Sequence, residues 1–485
     1  TGMRFSSILI AFVFGILCDE GEAQNFEWST NFRTKGLGAT SIFGLQVDSF
    51  GNSYIVSTNG VDSIFVENDT LVLHGTNSSG YTIKFNTKGS PQFALKTPNT
   101  QFIQFDSKEN IWIKSDNSFD TLYFNDTSLV TNTNSGEWVF SKFDSSGNYM
   151  NNIFYYPPKL NSVFKSRLFL VNRNFYQHYL FGKSTIVSYQ INKFNHNGIT
   201  LDSFFIKGLE VLPYTMQFNK RKNLVYVFGI NKNAGNLKIG NKKNISKQNV
   251  LFTLDTSLEV VNVNAINVLS KLNEKFNADS ANSLSVRSVE TIDNGGFYIT
   301  GSYNLTNQTT NRSKRKRGFI AYFDKNLNFK WIQSSQLTFN PTNPPRFEDP
   351  FFSIENLGVD INDGFLYIIG KYSGKHKLDG IKLPRFGEGG NGPFGVIFMA
   401  KLDTLGNVIW TFATSPVNKS NKRLASISSD LYADLDNSNN VYFLGKYFTD
   451  NFIIGPDSNK AFGNTDIFLA KVSDLSLRRD TNLAD

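Results

Sequence analysis

Cysteine is nearly absent from this sequence: Cys18 is the only one among 485 residues, which excludes an intrachain disulfide and any thiolate-built metal centre. Histidine is almost as scarce. His74, His178, His196 and His376 stand alone, with no H-x-H or H-E-x-x-H spacing, so a zinc or iron site resting on several histidines is not expected. No G-x-S-x-G elbow offers a nucleophilic serine. Charged residues make up only 19% of the chain, a composition poor in the side chains that cover surface helices. No apolar run approaches the roughly 20 residues of a membrane-spanning helix, the longest being the short stretch 8–17.

That stretch fits a secretory leader. Arg4 precedes it and the small residues Gly21 and Ala23 follow, so cleavage is expected after Ala23, with Thr1 and Gly2 ahead of Met3 reading as an appended scar. A lipid anchor on Cys18 is disfavoured, because Leu17 stands where a small residue is needed. Setting residues 1–23 apart removes one base and three acids, which takes the net charge from +8 to +10 and leaves a chain without cysteine. Its stability must then come from burial and sheet hydrogen bonds. Eight N-x-S/T sequons begin at Asn68, Asn77, Asn125, Asn244, Asn304, Asn307, Asn311 and Asn418, about the number that so much asparagine supplies by chance.

What the chain has in abundance is aromatic residues, 46 of them Phe, and turn signals. The clearest unit runs from Leu357 to Phe412: L-G-V-D-I-N-D-G-F-L-Y-I-I-G-K-Y, a variable excursion, then F-M-A-K-L-D-T-L-G-N-V-I-W-T-F. Each half is a pair of alternating apolar runs joined by a short Asn/Asp/Gly turn, the pattern of a four-stranded antiparallel meander. Seven such units fit end to end, at about 38–96, 100–156, 161–206, 213–266, 284–334, 350–413 and 425–474. The third is degraded, and its first hairpin is assigned to 163–171 although no Asp or Gly falls there. The seventh lacks the final strand that ends in Trp331 of the fifth and Trp410 of the sixth, while N-F-E-W-S-T-N-F (25–32) stands unassigned before the first unit. These two oddities explain each other. The expected fold is an all-β, single-domain seven-bladed β-propeller over 24–485, built of four-stranded antiparallel blades, with the N-terminal strand completing the last blade and closing the ring.

D-x-x-G-N-x-Y (48–54), D-N-S-N-N-V-Y-F-L-G (436–445), G-N-T-D-I-F-L-A-K (463–471) and K-L-D-T-L-G-N-V-I-W (401–410) resemble the bacterial seven-bladed β-propeller repeat family of exported proteins, with SBBP-type repeats. The resemblance covers nearly the whole chain after the leader and is poorest in the third unit. It implies a secreted or surface-exposed protein that binds or serves as a scaffold, without catalysis.

Candidate sites are few. Asp434-Leu-Asp436-Asn-Ser438-Asn-Asn440 and Asp360-Ile-Asn362-Asp363-Gly364 offer oxygens at calcium-like spacing, but they fall where each unit needs a tight turn, and turn chemistry is the expected role. No metal and no cofactor is expected. Between Val211 and Leu254 there are eight bases and no acid; Lys220, Arg221, Lys222, Lys242 and Lys243 are the candidates there for an anionic polymer, and Arg312 and 314–317 add five more bases in the next unit. Arg346, Phe347, Arg385 and Phe386 lie in the long excursions of unit six, where stacking and hydrogen-bonding groups suit a glycan or peptide. The expected partners are an anionic polysaccharide, a glycan or a surface protein. The alternative is a polysaccharide hydrolase or lyase with its site at the central mouth, to which Glu348, Asp349 and Asp430 are the conceivable contributors. The S-x-D-x-G-x-x-W boxes of sialidase-type propellers are absent.

Overall fold

A computed structural model describes residues 25–35, 41–58, 63–66, 69–72, 79–98, 100–117, 121–124, 127–130, 137–155, 163–171, 174–183, 186–211, 216–219, 221–231, 237–239, 242–245, 249–276, 281–292, 294–305, 315–337, 352–359, 365–372, 376–383, 396–413, 415–416, 431–447, 451–454, 457–460 and 466–473. Its repeating element is a five-residue reversal. In 48–52 the Asp48 N–H donates to the Asn52 carbonyl and the Gly51 N–H to the Asp48 carbonyl, while Asp48 Oδ1 accepts from the N–H groups of Phe50 and Asn52 and Oδ2 from the Asn52 amide. Asn86, Asp106, Asp144, Asn195, Asp255, Asp324, Asp403 and Asp436 head turns of the same backbone pattern. The fourth residue takes positive φ, which explains Gly51, Gly89, Gly147, Gly198 and Gly406; Glu109, Leu258, Leu327 and Asn439 adopt the same conformation without a glycine.

These turns join alternating apolar runs into seven sheets arranged as a β-propeller. In order from the innermost strand, blade one is Ser41–Val47, Ser53–Thr58, Ser79–Phe85 and Pro91–Pro98. Blade two is Thr100–Phe105, Ile111–Asn117, Glu137–Phe143 and Tyr149–Tyr155. Blade three is Val163–Val171, Asn174–Lys183, Ile186–Phe194 and Thr200–Lys207. Blade four is Met216–Asn219, Leu224–Asn231, Asn249–Leu254 and Val260–Ile266, with Leu209–Glu210 pairing the far end of its second strand. Blade five is Ala281–Thr291, Phe297–Leu305, Arg315–Phe323 and Phe329–Leu337, and blade six is Phe352–Val359, Leu366–Tyr372, Val396–Leu402 and Val408–Ala413. Blade seven takes Tyr432–Leu435, Val441–Tyr447 and Asp466–Ser473 from the end of the chain and Asn25–Lys35 from its beginning. That N-terminal strand pairs antiparallel with Asp466–Ser473, setting Trp28 opposite Lys471 and closing the ring as expected.

Blade three differs from the sequence reading. Residues 163–171 form one strand, and the hairpin is completed by Asn174–Lys183, with Val171 opposite Asn174. The run contains no residue on which a chain readily reverses, and it stays extended through Val171.

Burial lies between blades. Tyr442, Leu444 and Leu469 of blade seven pack with Leu45, Ile55 and Ile83 of blade one, and similar clusters fill the other crevices. Each fully buried side chain of this kind is worth about 1.5–3 kcal/mol relative to exposure. The helix Val268–Phe276 is capped by the Asn267 side chain on the Ser270 N–H and inserts Val268, Leu269 and Leu272 into the cluster shared by blades four and five.

Candidate binding surface

An antiparallel meander sends alternate connections to opposite ends. The turns between first and second strands and between third and fourth strands emerge on one end, here the turn face. The connections from second to third strands and from blade to blade emerge on the other, the excursion face. The candidate bases are divided by this rule. Arg221 and Lys222 are exposed in the turn 219–223, on the turn face. Lys242 and Lys243 lie in Lys242–Ile245, which pairs with Leu237–Ile239 in the connection between the second and third strands of blade four, on the excursion face. The strand Leu224–Asn231 stands between the two groups, about 26 Å at ~3.3 Å per residue. They cannot form one patch. Lys220, Arg346, Phe347, Arg385 and Phe386, together with Glu348, Asp349 and Asp430, lie outside the described residues.

What the excursion face does bring together is a larger basic set from two neighbouring blades. Lys238 is exposed beside Lys242 and Lys243. Arg315, Lys316 and Arg317 begin the third strand of blade five at the same end, opposite Leu305, Asn304 and Tyr303. The helix Val268–Phe276 also carries Lys271 and Lys275, but directs them along the outer strand of blade five, with the Lys271 ammonium 5.9 Å from the ring centroid of Phe329 at the turn-face end of that strand. Lys271 pairs with Glu274 at 2.6 Å. Lys275 donates to the Ile332 carbonyl; burial lowers its pKa, partly offset by Asp379. The described residues of the hairpin 237–245 and of the strand Arg315–Phe323 carry six bases and no acid.

Other lysines are structural. In register, Tyr54 stands opposite Lys84, Trp112 opposite Lys142, Tyr176 opposite Lys193, Tyr367 opposite Lys401 and Tyr442 opposite Lys471. In each pair the ammonium lies 5.3–5.9 Å from its partner's ring centroid, and Lys401 also sits 4.2 Å from that of Phe365. Blades four and five replace the lysine with Thr253 and with Tyr322, the latter stacked on Tyr298 at 4.7 Å. Burial pushes the Tyr176 hydroxyl up to about 12, helped by Asp255 and Asp202. These lysines tie strands together and are not available to a ligand in the same way as exposed ones.

The calcium-like loop 434–440 is occupied by N–H groups. Asp436 Oδ1 accepts from the N–H groups of Ser438 and Asn440, its Oδ2 from the Asn440 amide, and Asp434 Oδ2 from the Val47 N–H of blade one at 2.7 Å. Its carboxylates do turn and inter-blade work. The companion loop 360–364 lies outside the described residues. Among the described residues no three His, Cys, Asp or Glu side chains gather as a metal site, and no helix is long and apolar enough to cross a membrane. Of the acids on innermost strands, Glu290 accepts from the Gln217 amide of blade four at 2.7 Å, a second inter-blade link.

No protein-family model matches the chain, and no curated protein matches it. Solved structures similar to it include the polysaccharide lyase Uly1, at 10% identity over 89% of this chain and 90% of that one with a TM-score of 0.43. The WD40 domain of coronin from Toxoplasma gondii aligns at 10% identity over 93% and 89%, TM-score 0.40. A member of the DUF4221 family from Bacteroides vulgatus aligns at 9% identity over 92% and 99%, TM-score 0.32. Enzymes and non-enzymatic domains both occur among them, and likenesses this distant carry no statement about activity.

Proposed function

We propose that this chain is an exported β-propeller, of the bacterial repeat type its motifs resemble, that acts by binding and holds an anionic polymer on the excursion face of blades four and five. One observation carries the reading: bases from the hairpin 237–245 and from the start of the strand Arg315–Phe323 reach the same end of two adjacent blades, with no acid among the described residues of either element. A polymer of repeated phosphate, sulfate or carboxylate groups gains from such a set by counterion release, which needs no pocket and no reaction.

The test is binding of polyglutamate and of a sulfated polysaccharide to the chain at about 50 and about 200 mM salt, where each neutralised charge sets the slope. Lys238→Gln, Lys242→Gln, Lys243→Gln, Lys316→Gln and Arg317→Gln combined should weaken binding at least about tenfold and flatten its salt dependence. Arg221→Gln with Lys222→Gln, on the opposite face, should leave both unchanged. Equal loss from the two sets, or none from either, would refute the site.

A further inference from the structure

Among the described side chains of this basic set, Lys238 is exposed while Arg317 is partly buried. The difference has its cause in the sheet. Arg317 stands opposite Tyr303 in the register of the third and second strands of blade five, and Tyr303 packs in the cluster that includes Phe228 and Leu251 of blade four. Both side chains therefore lie at the excursion end of the crevice between the two blades. Tyr303 is 1% exposed. Its hydroxyl lies 2.8 Å from Ser334 Oγ on the outer strand, and Ser334 Oγ donates its one proton to a backbone carbonyl, that of Gly318 at 3.0 Å. The tyrosine is then the donor to the serine, and its oxygen keeps lone pairs for the Arg317 guanidinium. Burial raises the Tyr303 pKa, and the hydrogen bond with Ser334, the charge of Arg317 and a hydrogen bond with Arg317 each lower it again.

The bonds thus run in one direction, from Arg317 to Tyr303 to Ser334 to the Gly318 carbonyl, across three adjacent strands. Among the described residues Arg317 makes no ion pair. Its planar fork is held by a neutral group, which occupies part of its donor set and leaves its charge uncompensated. A lysine on a flexible stem offers charge without direction. A guanidinium already fixed in orientation loses less freedom on binding and can give two parallel N–H bonds to one oxyanion.

We propose that Arg317 is the specificity-determining residue of the polymer site, taking one sulfate, phosphate or carboxylate group of the polymer in a two-pronged hydrogen bond, and that Tyr303 is its positioning residue. The assignment rests on the polymer reading above and adds a directional contact to counterion release. The surrounding lysines then supply attraction, and Arg317 fixes where the chain is held.

Binding of dextran sulfate to the full chain from about 50 to about 200 mM salt separates charge from geometry. Arg317→Lys keeps the charge, so the salt slope should stay while affinity falls at least about tenfold. Arg317→Gln should lower both, the slope by about one. Tyr303→Phe keeps the ring and the charge and should weaken binding about three- to tenfold at an unchanged slope. In an Arg317→Lys background the same change should have no further effect, a coupling that a merely structural tyrosine would not show. Unchanged affinity in both Arg317→Lys and Tyr303→Phe, with the loss from the five-residue variant intact, would overturn the assignment and leave the polymer site standing. No binding by the unaltered chain would overturn both.

Discussion

The indole of Trp28 rests on Gly89. Its Nε1 donates to the Thr87 carbonyl at 2.9 Å, and a Cβ at position 89 would come within 2.6 Å of its Cε3, so the outermost strand of blade seven is seated on a turn of blade one. Trp331 of blade five makes the same contact with Gly406 of blade six and donates to the Thr404 carbonyl at 3.0 Å, and Phe93 of blade one packs on Gly147 of blade two. The turn glycine has two duties: a positive φ and a flat surface for the preceding blade.

Gly89→Ala and Gly406→Ala should therefore each destabilise the fold by about 2–4 kcal/mol, combining left-handed backbone strain with overpacking against the indole. Gly380 has φ of +81° with nothing within 4 Å of a Cβ, so Gly380→Ala should cost only about 1–2 kcal/mol. Urea denaturation of the three variants measures the difference; equal losses at 89 and 380 would show that the aromatic contact contributes nothing.

Closure should depend on Trp28. Trp28→Phe removes the bond to the Thr87 carbonyl and should lose about 0.5–1.5 kcal/mol, and Trp28→Ala, which also removes the ring, about 2–4 kcal/mol. Thermal unfolding monitored by circular dichroism would place the two variants in that order.

Lys401 is 1% exposed with its ammonium over Phe365. A double-mutant cycle of Lys401→Met with Phe365→Leu should give a coupling of about 1–2 kcal/mol, as a desolvated cation–π pair requires. A coupling near zero would mean that the ladder of lysines only fills space.

Stability should fall in acid through the turn carboxylates. For Asp106, Asp144 and Asp324 burial alone would raise the pKa, but the hydrogen bonds of the turn outweigh it and hold each carboxyl below its usual range, aided at Asp106 by Lys142 at 3.1 Å and at Asp324 by Lys330 at 3.0 Å. A depressed folded pKa gives stability that is present above the unfolded value, near pH 4, and is lost as pH falls through the lower folded value. The thermal midpoint should drop below about pH 4, and Asp144→Asn should reduce the drop while keeping the turn, since Asn86 and Asn195 head the same turn elsewhere.

The turns were readable because their bonds close within five residues: an Asp or Asn at the first position and, in most, a Gly at the fourth are chemical requirements of the reversal itself. The displaced last strand was readable for a related reason, since a missing G-x-x-x-W piece at one end matched an unassigned W-bearing piece at the other. The added hairpins were passed over as variable excursions, although Ser63–Val66 and Asp69–Val72 alternate as strands do. Their partners lie in the preceding blade, and only packing brings them there.

The sequence by itself determined the repeat, the turn chemistry and the pairing of the two chain ends, all properties of local hydrogen bonding and alternation. Only the tertiary structure decided which end of a blade each charge reaches and which outer edges gain an added strand. Lys222 and Lys242 are neighbours in composition yet lie on opposite faces, because one antiparallel strand carries the chain across the blade between them; Lys242 and Arg317 are distant in sequence yet reach the same end of adjacent blades, because the blades are wound side by side.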